Sequence, residues 1–578
     1  MCGIFGITNF KNSDLDNARH ALHTLSHRGP DQWLDFHSNG VYLGHRRLSI
    51  LDLSENGRQP MLNSDKTAAL IVNGEIYNYQ DLKKLLSHTY FFCSTTDSEV
   101  LLHGYSEWGI EKLLKKIDGM FAFAIYDTNR QKLYLARDRV GIKPLYYSFI
   151  NDQVVFASEL KAIIDFLPET DLIRDYSALY DFLTYKYIPA PKTLYNNIYK
   201  LEPAHYLEIN LNEKSIQKYC YWKLETNICD DASDKAREKI EELIKKSVKE
   251  QLMSDVPLGF FLSGGIDSSA IVAYASSTVK KVNTFSIGFN EGTHDESGYA
   301  ELVAQRFQTN HKSKKLNPEQ TIELLPHLKD WFDEPFADFS CFPTFLVSEF
   351  AREHITVALS GDGGDEIFGG YKWYQKFTRL SRYRLSILSG FKPALRSFGK
   401  IHPFVSKVMR RIENPYFLDD LEHYTRLMNG HLADDKKHFK LKWELPDDYD
   451  DYWYFRKYYR PELDVYTRLQ YLDFHTFLPD AILTKVDRTS MHVSLECRVP
   501  LLSTDLIEYM FRLQPEVRIP NGNLKGLFKE ILMNQLPDEI LFREKKGFSI
   551  PFTSWKKKVF KNENTKQDYV LNHIFNEQ

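Results

Sequence analysis

Residues 256–277, VPLGFFLSGGIDSSAIVAYASS, constrain the fold more than any other stretch: an apolar run gives way to Ser263-Gly264-Gly265 and then at once to a helical pattern. A short apolar strand ending in glycines and feeding a helix is the βα unit of a parallel sheet. The helix start offers unpaired N–H groups and the positive end of a dipole, and two glycines leave the backbone bare, so the loop can cradle an anion. It lacks the GK[ST] of a Walker A loop, so no lysine inside the motif reaches a terminal phosphate. Asp267, in the first turn, suits either helix capping or a phosphate-bridging cation. The apolar runs VNTFSIGF and ITVALSG follow with helical stretches between them, so a parallel α/β sheet is expected.

The region before this unit has another texture. Up to about residue 210 the runs GMFAFAIYD and QKLYLARD flank Asn129-Arg130, and PLYYS and QVVFAS flank Asn151-Asp152, a pattern of hairpins in antiparallel sheet. YQDLKKLLSHT and SEVLLHGYSEWG supply covering helices, which together make an α+β unit. Near residue 230 a helix begins that places Ile240, Leu243, Ile244, Val248 and Leu252 on one face. Beyond about residue 370 the chain turns aromatic-rich and mostly helical, without a repeat period. A chain of 578 residues exceeds a single core and asks for two or more such units.

Bulk properties exclude several function classes. With 74 basic and 78 acidic residues the formal charge is -4, which gives no global case for a nucleic-acid partner, and Lys556-Lys557-Lys558 reads as a solvated face. No apolar run reaches the ~18 to 20 residues of a membrane span. The start MCGIFGITNFKNSD lacks a basic n-region, so a cytoplasmic location is expected. Cys2, Cys93, Cys220, Cys229, Cys341 and Cys497 are scattered with no CxxC pair, which points to reduced thiols rather than disulfides or zinc.

Cys2 follows Met1 directly, and removal of that methionine leaves a thiol beside a free α-amine. The amine titrates near ~8, so it can take the thiol proton and make the cysteine a nucleophile with its own base. A buried cysteine of no function would look the same in isolation. Its company decides the matter: CGIFG, SHRGPD, GHRRLSI, NGEIYNY, TTDSEV and ARDRVGIKPLYY. With these motifs residues 2 to 205 resemble class II glutamine amidotransferase domains, N-terminal-nucleophile hydrolases with an αββα sandwich. The resemblance implies attack of Cys2 on the glutamine side-chain amide, release of ammonia and hydrolysis of a thioester. It gives Asn73 and the Gly74 N–H to the oxyanion, Glu75 and Asp97 to the substrate ammonium, and Arg47 to its carboxylate.

SGGIDSS at 263–269 in turn resembles the pyrophosphate loop of ATP-pyrophosphatases. Together with SGDGGDEIFGGY at 360–371, LTKVDRTSMHVSLECRVPLL at 483–502 and REKKGFSIP at 543–551, it makes nearly the whole chain similar to the asparagine synthetase family. That family implies a 2–210 glutaminase domain, a 211–228 linker, a 229–560 ATP-pyrophosphatase domain with a helical C-terminal part, and a 561–578 tail. It implies ATP and magnesium as cofactors, with Leu262, Ser263, Gly264, Gly265, Asp267, Ser268, Ile287, Ser360 and Gly361 around the nucleotide and Asp267 and Asp365 as metal candidates. Asp362 would act on an acyl-adenylate, and Lys545 or Lys546 would neutralise the reacting phosphate.

In this scheme adenylation supplies a leaving group that a carboxylate lacks, and a dry passage keeps ammonia unprotonated between the sites. Aspartate to asparagine is the leading reaction, with small-molecule partners only and a homodimer left open. Two departures keep another carboxylate, such as a uronic acid, as the alternative. Many relatives have Glu where this chain has Asp362, and ADFSCFPT at 337–344 carries no arginine. A non-catalytic glutamine sensor is opposed by the intact Cys2, Asn73, Asp97, SGGIDSS and SGDGGDE. A tRNA-thiolating enzyme is opposed by the lack of paired cysteines and of a basic surface.

Overall fold

The computed structural model describes residues 2–229, 231–289, 295–317, 322–382, 419–544 and 565–575. Two six-stranded sheets build the first half. One runs in the order β10 (Ile198–Lys200), β8 (Tyr146–Ile150), β9 (Gln153–Ala157), β1 (Gly3–Thr8), β3 (Val41–Arg47), β2 (Gln32–Ser38). The other runs β12 (Ser215–Cys220), β11 (His205–Asn210), β7 (Lys132–Arg137), β6 (Gly119–Asp127), β5 (Ala68–Ile76), β4 (Met61–Leu62). The strand pairs within both sheets are antiparallel.

The side-chain period of two explains how these sheets stack. On β6, Ala122, Ala124 and Tyr126 meet Ile4, Val41 and Leu43 of the other sheet, while Phe121, Phe123 and Ile125 face the opposite way. That second face packs on helices α2 (Tyr79–Leu86) and α3 (Glu99–Lys116) through Leu82, Leu86, Leu101 and Leu113. Across the sandwich, Phe5, Ile7 and Tyr42 pack on α1 (Leu15–His23) and α4 (Leu160–Phe166). Both faces of β6 are thus buried, and an apolar residue at nearly every position is what such a strand needs. The layers are αββα, as expected from the sequence. Each large apolar side chain buried in them contributes about 1.5 to 3 kcal/mol.

The second half is built on a parallel sheet in the order β15 (Asn310–Leu316), β14 (Asn283–Phe289), β13 (Leu258–Phe261), β16 (Val357–Leu359), β17 (Glu496–Arg498). Helix α5 (Ser233–Gln251) buries Ile240, Leu243, Ile244 and Val248 as its periodicity predicts, and α6 (Ile266–Ser276) follows β13. No helix among the described residues is long and apolar enough to cross a membrane.

Two features depart from the sequence reading. Residues 211–228 were expected to link the halves, yet β12 occupies 215–220 and pairs with β11 along its length. Its exposed polar face, as on Gln217 and Lys218, hides the strand pattern. The region beyond residue 370, expected to be mostly helical, also returns one strand to the parallel sheet. That strand is β17, three residues long, and its ends are charged, which removes the apolar signature of a buried strand.

Candidate active site

Cys2 is buried at the head of β1, a central strand of the first sheet. Its backbone N–H donates to Asn73 Oδ1 at 3.0 Å, across to β5 of the second sheet. This bond fixes the amide, so the Asn73 NH2 points the other way. That Nδ2 is fully buried and has no partner among the described residues. An orphaned buried donor costs about 1 to 3 kcal/mol, which a bound anion or carbonyl oxygen would offset. Gly74 is required beside it, because a Cβ there would lie 2.1 Å from the Met120 carbonyl oxygen. Burial pushes the Cys2 thiol up, with the Leu48 N–H and the Arg47 charge pulling the other way, so the resting group is a thiol.

Arg47 is held almost entirely by main chain. Nη1 donates to Gln32 Oε1 at 3.2 Å and the Ser54 carbonyl at 3.1 Å, and Nη2 to the Leu51 carbonyl at 3.2 Å and to the Asp52 carbonyl. No carboxylate among the described residues pairs with it, although it is only 4% exposed. A buried guanidinium with neutral supports suits an anionic ligand. Asp97 is buried and takes the Ile76 N–H at 2.6 Å, and burial raises its pKa. Glu75 is pushed up further, by burial and by Asp97, despite Arg498 Nη2 at 3.6 Å. Acidic groups held above their ordinary range are those that gain most from an added cation.

The second cluster lies on the carboxyl edge of the parallel sheet, where such folds bind ligands. Gly264 has φ +68°, and a Cβ on it would strike Tyr299 Cβ at 2.5 Å. The loop is tied by its own hydroxyls: Ser268 Oγ donates to the Gly265 carbonyl at 3.2 Å and lies 3.1 Å from Ser263 Oγ. Leu262 N–H donates to the Phe285 carbonyl at 2.9 Å, which sets the loop beside β14, the strand that carries Ile287. In the neighbouring loop, Ser360 Oγ donates to Asp362 Oδ2 at 2.7 Å and the Ser360 N–H to the Arg498 carbonyl at 2.9 Å.

Asp267 and Asp365 come together around one cation, Lys525. Its Nζ lies 2.6 Å from Asp267 Oδ1 and 2.6 Å from Asp365 Oδ1. Sequence reasoning missed Lys525, though one signal was available. It directly precedes the helix Gly526–Leu532 with φ +55°, at the positive helix end where a lysine is disfavoured. Burial alone would drive its charge off, and the two aspartates hold it well above the ordinary lysine range. Two carboxylates so placed fit a hard phosphate-bridging cation in chemistry and number. Ser263, Gly265, Ser268 and Gly361 complete the two loops, while Lys545 and Lys546 lie outside the described residues. Arg543, close before them, sits 4.4 Å over the Tyr299 ring against the glycine loop.

The two clusters are joined by β17, also missed from sequence. Arg498 Nε donates to Glu496 Oε1 at 2.6 Å, both buried, and the Arg498 side chain approaches Glu75 of the first cluster. Burial would raise the Glu496 carboxyl, but neighbouring cations, among them Arg498 and Lys143, bring it down to about 2. Alongside, Arg28 Nε donates to the Cys2 carbonyl at 3.1 Å while its Nη atoms pair with Asp487 at 2.8 and 3.1 Å.

Residues 1–222 match the family profile described as Glutamine amidotransferase domain, and residues 239–568 match the one described as Asparagine synthase. The chain belongs to the asparagine synthase family. It is 35% identical to glutamine-hydrolyzing asparagine synthetase 1 of Bacillus subtilis (strain 168) over 570 residues, covering 96% of this chain and 88% of that one. A provisionally named asparagine synthetase 2 of Methanocaldococcus jannaschii is 38% identical over 447 residues, 73% of this chain and 84% of the relative. Asparagine synthetase 3 of Bacillus subtilis (strain 168) is 31% identical over 577 residues, 95% and 87% of the two chains. In this asparagine synthase family member the amidotransferase match contains Cys2, Arg47, Asn73, Glu75 and Asp97, and the synthase match contains the loops at 263–268 and 360–365 and Lys525.

Proposed function

We propose that the chain couples glutamine hydrolysis to ATP-dependent amidation of a carboxylate through an acyl-adenylate, with aspartate converted to asparagine. Glutamine would bind with its carboxylate on Arg47 and its ammonium on Glu75 and Asp97. Once Met1 is removed, the Cys2 α-amine would take the thiol proton and the thiolate would attack the side-chain amide. Asn73 Nδ2 and the Gly74 N–H would donate to the oxyanion, and the orphaned state of Nδ2 supports that role.

On the other side the Ser263–Ser268 loop would hold the polyphosphate, with Leu262, Ile287, Ser360 and Gly361 around the nucleotide. Asp267 and Asp365 would hold magnesium, which neutralises phosphate charge when bound. Lys525, now between those aspartates, has the reach and charge to turn to a phosphate oxygen. Lys545 or Lys546 would neutralise the reacting phosphate, as the family resemblance implies. Asp362 would stand by the adenylate.

One observation carries the coupling of these halves: Arg498 approaches Glu75 with its side chain and holds Ser360 with its carbonyl. The three-residue strand β17 thus touches both clusters through Arg498. Around them Tyr77, Met120 and Ile142 of the first half form one apolar core with Leu262, Val499 and Leu502 of the second. Ammonia crossing such a core would stay unprotonated. An assay with glutamine, ATP, magnesium and aspartate should give asparagine, AMP, pyrophosphate and glutamate. Pyrophosphate without aspartate dependence would defeat the acceptor assignment.

The absence of arginine from residues 337–344 favours a second reading, the same chemistry on a different carboxylate such as a uronic acid. A uronic acid that yields amide and pyrophosphate where aspartate yields neither would select it.

A further inference from the structure

The missing arginine has a replacement in space. We propose that the acceptor carries a second anionic group besides its reacting carboxylate, and that Lys186 and Lys485 hold it beside residues 337–340. The proposal rests on the amidation reading above and specifies its substrate class.

The placement follows from topology. The helix Cys341–Arg352 leads into β16, so its first turn opens at the carboxyl edge of the sheet, on the side of Ser263 and Asp362. Ser340 stands at the N-cap position of that helix, and Lys485 comes from within the helix that leads into β17. Lys485 Nζ donates to Ser340 Oγ at 3.0 Å and lies 3.8 Å from Asp338 Oδ2.

Lys186 arrives from the first half of the chain, in a left-handed turn at φ +72° that ends the helix Tyr176–Tyr185. Its carbonyl accepts the Ala337 N–H at 2.9 Å. Its ammonium sits 6.0 Å over the Phe477 ring, which packs edge-on against Tyr371 and Trp373 just past the loop carrying Asp362 and Asp365. Lys566 adds a third cation 4.8 Å over the Phe339 ring.

The charges do not balance. Lys186 and Lys485 share Asp338 as their one nearby carboxylate among the described residues, and Asp338 already accepts the Ser340 N–H at 3.0 Å and its hydroxyl at 2.8 Å. Burial and Lys566 lower Lys186 to about 8 against the pull of Asp338. Cations held this far from full compensation gain from a bound anion. A purely structural role on Asp338 would not need two ammoniums beside the first turn of the helix Cys341–Arg352.

The test compares aspartate with β-alanine, which keeps the reacting carboxylate and the amine but lacks the α-carboxylate. The wild type should favour aspartate by roughly 100-fold or more in kcat/KM, the scale of a desolvated charge pair. Lys186→Met and Lys485→Met should collapse that preference to under about tenfold, and Lys186→Arg should restore much of it. Glutamine hydrolysis and the KM for ATP serve as folding controls. If both Met variants keep the wild-type preference, or if an acid with a single anionic group is amidated as well as aspartate, the anion site is refuted while carboxylate amidation stands. If no acid is amidated, the amidation reading fails and this inference falls with it.

Discussion

The two clusters hold their charges in opposite ways. Around Cys2 the polar groups wait: Asn73 Nδ2 has no partner among the described residues, Arg47 leans on neutral carbonyls, and Glu75 and Asp97 are held above the ordinary carboxylate range. Around the glycine loop the charges are already spent on one another, with Lys525 inside the pair Asp267 and Asp365. On the function proposed, the first site would receive a zwitterion without rearrangement. The second is self-neutralised, so a ligand there would have to displace an internal ion pair.

The largest break in that comparison comes from Cys2→Ala. Glutamine-driven synthesis should fall by about four orders of magnitude or more, as for other nucleophile deletions. Synthesis from ammonium salts should stay within about twofold, since in the proposed scheme Cys2 serves only glutamine hydrolysis. Equal loss of both routes in a folded protein would show that the clusters are one site. Mass spectrometry of active protein should also show a chain starting at Cys2.

Next in size, Asp267→Asn and Asp365→Asn should each lower pyrophosphate release by about 10²- to 10³-fold and leave glutaminase activity unchanged. Each also frees Lys525 from half of its pairing. Lys525→Met leaves the two carboxylates facing each other, so it should tighten binding of magnesium alone, read by calorimetry, while ATP cleavage falls. A magnesium affinity that does not change would mean that Lys525 and the metal do not share this position.

Asn73→Ala sharpens the other side of the comparison. It removes one oxyanion donor and the acceptor of the Cys2 N–H, so glutaminase kcat should fall about 100-fold with little change in glutamine KM. A rise in KM at constant kcat would instead make Asn73 a ground-state binding group.

The same contrast decided what could be read from the sequence. Cys2, Arg47, Asn73, Glu75 and Asp97 sit in local motifs, and β6 to β9 show as apolar runs flanking turn residues, so two hairpins of the first half were legible locally while its αββα layering followed from the resemblance those motifs carry. The βα unit at 256–277 also announced the parallel sheet. What escaped depends on distant chain segments. Lys525 meets its aspartates across 258 positions of sequence from Asp267. β17 is a buried strand whose Glu496 and Arg498 satisfy each other, so it looks polar and loop-like. The lysines beside residues 337–340 come from three elements, and no window of sequence contains them together.

The smallest expected effect tests whether Lys186 belongs to the waiting class of charges or the spent one. Its groups in view are Asp338, Lys485 and Lys566. If it holds the acceptor, kcat/KM for the acceptor should be flat below about 8, where the ammonium is charged, and fall as pH rises through that value. At pH 9 the loss should be up to about tenfold, because kcat/KM reports the free enzyme. Folding stability should respond with the opposite sign. The folded pKa of about 8 lies below the ordinary lysine value, so between the two the unfolded chain binds more protons and stability rises with pH. A lysine engaged only in structure would show the stability slope without the kinetic one. Lys186→Arg, which does not titrate in this range, should remove both slopes. If the kinetic break near pH 8 survives that substitution, another group titrates there and Lys186 does not hold the acceptor.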